Sequence, residues 1–69
     1  MRNDKQKLDS YEKILEMALK KEKAAYLFYE NHAKKTKARV LQKIFEELRD
    51  EEAKHVNVLQ RKLDEIRYS

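Results

Sequence analysis

Apolar residues recur at alternating steps of three and four along nearly the whole chain. In the first half the walk runs Leu8, Tyr11, Leu15, Ala18, Glu22, Ala25, Tyr29 and His32. In the second it runs Leu41, Phe45, Leu48, Glu52, His55, Leu59, Lys62 and Ile66, with Leu63 beside it. This is the period of amphipathic helices that press one stripe against a partner helix. Asp9-x-x-Glu12 matches a capping box, which predicts a first helix from about residue 10 with residues 1–8 frayed. Thr36 is the one convincing interruption, a residue suited to start a second helix. The pattern predicts helices over about 10–35 and 37–67, joined by a tight turn, in a single domain over 9–69. Lys34 and Lys35 suit the end of the first helix through its dipole, whereas Lys37 and Arg39 oppose that of the second. One unbroken helix of roughly 90 Å is therefore the competing arrangement.

Composition sharpens the fold class. Glycine and proline are absent and 43% of residues are charged, which reads as an all-α chain. Cysteine is absent too, excluding disulfides, zinc–thiolate sites and iron–sulfur ligation. Below about 70–80 residues one core rarely supplies more than ~3–5 kcal/mol, so a metal or a partner chain is the expected staple. No apolar run reaches the ~18 residues of a membrane span, and no signal peptide is evident. The expectation is a soluble, cytoplasmic protein with no membrane partner. The net charge is +4, densest at KKTKAR, residues 34–39. No aromatic residues interleave with those cations, so the stretch reads as a solvated turn and no nucleic-acid partner is expected.

Three polar residues interrupt the apolar stripe from within it. Glu52 and His55 stand at i, i+3 on one helix face. Glu22 lies 15 residues before position 37 and Glu52 lies 15 after it, so a chain folded near Thr36 brings both carboxylates to one height. One hairpin exposes a full apolar face, and two hairpins about a two-fold axis complete a four-helix bundle. Its core would hold four carboxylates and two imidazoles, a charge that two divalent cations neutralise. That donor set suits iron; manganese and zinc also fit. Left without metal, the same layer sets register in a hairpin or coiled-coil interaction module.

The stretch IFEELRDEEAKH (44–55) resembles the second helix of rubrerythrin and other ferritin-like di-iron carboxylate proteins, where an apolar–aromatic pair precedes Glu-x-x-His. EKAAYLFYENHA (22–33) is similar to the matching first helix. The resemblance spans roughly residues 12–66 and implies a half-size member, a homodimer with a ferritin-like bundle and two iron ions shared between subunits. It implies Glu22 as a terminal ligand, Glu52 as the bridging carboxylate and His55 as the imidazole ligand. Tyr29 resembles a tyrosine adjoining the ligands, and Glu51 a carboxylate that orients His55 of a neighbouring helix. The implied activity is that of a di-iron oxidoreductase, of ferroxidase or peroxidase type, with dioxygen or hydrogen peroxide as the small oxidant. The rubredoxin-like cysteine module is missing, so the resemblance implies the helical centre alone. No catalytic residue is assigned beyond the ligands. Whether the centre turns over or only braces the fold stays open here, as does assembly beyond the dimer. A free cytosolic protein and one enclosed in a protein compartment read alike. His32 stands ten residues from Glu22, about 15 Å along a helix, outside any shared site. Tyr26, Leu27 and Phe28 widen the apolar surface beyond one stripe.

Overall fold

The computed structural model describes the backbone of residues 2–68 and the side chains of residues 10–68. Two helices, α1 (Arg2–Lys35) and α2 (Arg39–Tyr68), form an antiparallel hairpin measuring 56 × 15 × 12 Å. Among the described residues no helix is long and apolar enough to cross a membrane.

Both helix starts differ from expectation. α1 does not begin at a cap on Asp9 but runs on to Arg2, through most of the stretch expected to fray; residue 1 lies outside the described residues. The physical reason is propagation. Residues 2–8 contain no Gly or Pro, and extending an existing helix is far easier than starting one. A capping pattern inside such a run is simply passed over.

α2 starts at Arg39, two residues later than expected. The Thr36 amide still donates to His32 O at 3.0 Å, closing one last turn of α1. Thr36 Oγ1 then accepts from the Ala38 amide at 3.4 Å. Ala38 O accepts the first bond of α2, from the Gln42 amide at 2.9 Å. Thr36 thus caps the connection, while Ala38 occupies the cap position of the helix. The first turn of α2 holds no acidic residue, so nothing there complements its dipole.

The seam between the helices is made by Leu15, Leu19, Glu22, Tyr26 and Ala33 against Phe45, Glu52, Val56, Leu59 and Leu63, all buried or half-buried. Among the described residues only Leu19, Ala33 and Leu63 are fully buried apolar side chains. Six positions expected on this seam are exposed instead: Tyr11, His32, Leu41, Leu48, His55 and Lys62. A pair of helices covers only a narrow stripe of each, and the apolar pattern here is wider than that stripe. The surplus collects on one side of the hairpin, where Tyr11, Ile14 and Phe28 of α1 lie with Leu41, Ile44, Leu48 and Val58 of α2, all exposed.

The other side is polar and self-satisfied. Arg49 pairs with Glu30 at 3.4 Å, and Arg67 with Glu12 and Glu16 at 2.7 Å each. Arg67 is held above its ordinary pKa first by the hydrogen bond to Glu12 and next by that to Glu16, which keeps this cation intact. Between the two ion pairs runs a groove lined by Lys23, Tyr26, Leu27, Ala53, Val56 and Asn57. Among the described residues the interhelical Arg–Glu pairs thus lie on this side, with exposed Leu27 in the groove between them, and most of the apolar surplus lies on the other.

Leu63 is 2% exposed and the most deeply buried side chain described. Leu63→Ala should cost about 2–5 kcal/mol. In a chain with so little core, that should appear in a thermal melt followed by circular dichroism as loss of the cooperative transition above room temperature.

Candidate metal centre

Glu22 projects from the middle of α1, and Glu52 and His55 project from the middle of α2, because the three-residue connection sets the antiparallel register. Their ligand atoms lie within 4.8 Å of one another. His55 Nδ1 stands 3.5 Å from Glu52 Oε2 and 3.7 Å from Glu22 Oε2. Side-chain exposure rises outward from the seam: Glu52 17%, Glu22 30%, His55 54%. Among the described residues no other group of three or more His, Cys, Asp or Glu side chains could hold a metal ion.

Glu52 Oε2 is the atom that tests whether a cation fits. It is buried and has no hydrogen-bond partner; His55 is within ion-pairing range but not in hydrogen-bonding geometry. An unsatisfied buried acceptor costs roughly 1–3 kcal/mol, more when charged. A divalent cation between Glu22, Glu52 and His55 would remove that penalty, and mixed carboxylate–imidazole donors suit first-row divalent ions. Three ligand atoms are fewer than the four to six such ions take, so one hairpin offers an incomplete set. Its open side, marked by half-exposed His55, faces the apolar surplus: Leu41, Leu48 and His55 repeat at i, i+7 and i+14 on one face of α2.

The other residues singled out in the sequence fall elsewhere. Tyr29 is half-buried seven residues beyond Glu22, with its ring stacked on Phe45 at a centroid distance of 6.5 Å. Glu51 is exposed and pairs with Lys54 of its own helix at 3.3 Å. His32 donates through Nδ1 to Phe28 O at 2.8 Å and packs on the Phe28 ring at 4.1 Å; it is a surface residue near the turn. Sequence reasoning missed the Arg49–Glu30 and Arg67–Glu12/Glu16 pairs. Counting heights could not have found them, since Glu30 stands seven residues before position 37 and Arg49 twelve after it, an offset of about 7.5 Å that the long arginine side chain spans.

Two carboxylates and an imidazole converge from facing antiparallel helices, the kind of donor set that helical carboxylate metal centres use. The chain belongs to the rubrerythrin family, which it matches over residues 13–69, a span that takes in most of α1, all of α2 and all three converging residues. That family generally binds iron. No curated protein and no solved structure gives a significant match.

Proposed function

We propose that this chain is a rubrerythrin-type di-iron protein whose centre is assembled from two copies, each giving Glu22, Glu52 and His55. The observation that carries the reading is the buried, unpartnered Glu52 Oε2 beside Glu22 and His55, in a chain of an iron-binding family. Two copies bring four carboxylates and two imidazoles to two metal ions, the arrangement the designed di-iron bundles of this type also use. The exposed apolar side of the hairpin is the surface a second copy would cover.

Electrostatics favours one relative orientation. Lys34, Lys35, Lys37 and Arg39 cluster at the turn, so two hairpins with turns at the same end would place like charges together. Turns at opposite ends avoid this and still superpose the centres, because Glu22 and Glu52 sit at mid-height.

Iron at this centre, when bound, would supply electrons for reduction of dioxygen or hydrogen peroxide. The protein's own part is ligation and exclusion. Glu52 lies deepest and suits the shared bridging position; Glu22 and His55 flank it. Phe45 and Tyr29 wall the layer toward the turn, and Leu59 and Leu15 wall it toward the chain ends.

Native mass spectrometry after anaerobic ferrous loading tests the reading in one spectrum. The expected species is a pair of chains, or a multiple of it, carrying two irons per pair. Metal-free chains after loading would return the polar layer to a register role in an interaction module.

A further inference from the structure

The chain's positive charge is not spread along it. Residues 31–45 hold five cations (Lys34, Lys35, Lys37, Arg39 and Lys43) and no acid. The rest of the chain holds 12 cations against 13 acids. The whole excess of +4 therefore sits at one tip of a rod 56 Å long, around the connection at 36–38. All five cations are exposed. Of the five only Lys34 forms an ion pair, with Glu30 at a marginal 3.9 Å; Lys43 has Glu46 and Glu47 one turn further along α2, but among the described residues Lys35, Lys37, Arg39 and Lys43 form no ion pair.

Helix stability explains part of this and is opposed by the rest. Lys34 and Lys35 end α1, where cations complement the dipole. Lys37 and Arg39 flank the start of α2, where they oppose it, and no acid in that first turn compensates. Elsewhere Arg49 and Arg67 pair with acids across the helices, while Arg61, Lys13, Lys20, Lys21 and Lys23 are exposed and form no ion pair among the described residues, so what sets the tip apart is the opposed dipole and the local excess of charge. A locally unfavourable choice with no compensation in the fold marks a functional constraint.

We propose that this tip is the docking point for a carboxylate-rich segment of another polypeptide. The tip is at most 15 Å across, which suits a short extended segment. Val40, 73% exposed, stands among the cations and offers an apolar contact to such a segment. Single-stranded nucleic acid would want free aromatic platforms beside the cations, whereas the two aromatic rings of residues 31–45, His32 and Phe45, are packed on Phe28, Tyr29 and each other. Arg39 and Lys43 lie one turn apart on a face of α2 away from Leu41 and Leu48, so a second copy on the apolar side leaves them accessible. The proposal does not depend on the metal centre.

The test uses the full chain and a fluorescein-labelled peptide of eight glutamates and one leucine, read by anisotropy at low salt. Saturable binding is expected, weakening as salt shortens the screening length from about 14 Å toward about 4 Å. Lys37→Glu/Arg39→Glu should weaken binding about tenfold or more. The same double variant should melt several degrees higher than the parent, because acids at the start of α2 complement its dipole. Absent or non-saturable binding, or equal binding by the double variant, would overturn the proposal. So would a lowered melting temperature, which would make the cations structural. Tighter binding of a dT15 oligonucleotide or of phosphatidylserine vesicles than of the peptide would overturn the choice of partner.

Discussion

Glu52→Ala is expected to abolish iron binding while leaving the metal-free protein at least as stable as the parent. The first half follows from position: Glu52 is the most buried of the three converging residues and the only one with an orphaned oxygen. Loss of residues merely adjoining metal ligands typically weakens affinity about 10–100-fold, so loss of this ligand should exceed about 100-fold. The second half is the sharper one. Truncation removes a buried acceptor whose unsatisfied state costs roughly 1–3 kcal/mol and installs the best helix former. A small cavity offsets part of that gain. Anaerobic ferrous titration by calorimetry, with thermal melts with and without metal, measures both. At metal about 100-fold above its dissociation constant the parent should gain about 2.7 kcal/mol, and the variant nothing. A variant that still takes two irons per pair of chains, or one that metal stabilises like the parent, would sink the assignment.

Leu48→Lys should split the assembly into single hairpins, whereas Leu27→Lys should leave it intact. Both leucines are exposed in one hairpin, Leu48 at 39% and Leu27 at 57%, so exposure alone would rank Leu27 as the better candidate for a contact. Their sides differ. Leu48 shares a face of α2 with Leu41 and His55, on the apolar side onto which the Glu22, Glu52 and His55 cluster opens. Leu27 lines the polar-side groove with Ala53 and Asn57, between two sets of Arg–Glu pairs. A lysine at 48 would bury an unpaired ammonium in a bundle core, a cost of several kcal/mol. Sedimentation equilibrium of the two variants decides it, and iron binding should be lost with Leu48→Lys alone. If Leu27→Lys dissociates the protein and Leu48→Lys does not, the wrong side has been chosen.

The sequence made the helices, the antiparallel register and the meeting of Glu22 with Glu52 and His55 legible, for one reason. The connection is short and contains a single cap-forming residue, so counting outward from it fixes height. Helix starts were less legible. Asp9-x-x-Glu12 satisfies a local rule that helix propagation outweighs, and Thr36 caps the connection rather than α2 itself. The division of apolar residues between two surfaces was illegible for a different reason. A walk in steps of three and four runs along both the seam and the face beside it. Leu19 and Leu63, which are buried, and Tyr11 and Leu48, which are not, therefore satisfy it about equally. Only packing against the second helix separates them. The ion pairs of Arg49 and Arg67 were missed because they depend on side-chain reach across the seam, which helical spacing does not encode.

The three-residue connection also has a kinetic consequence. Closing two adjacent helices on so short a link is a local event, of the kind that completes in microseconds to milliseconds. If the centre is assembled from two copies as proposed, the meeting of two hairpins is bimolecular, and its rate scales with the square of chain concentration. Newly made chains at low abundance would therefore dwell as closed hairpins carrying half a centre. Competent centres would accumulate late and steeply, as a threshold in expression level rather than in proportion to it.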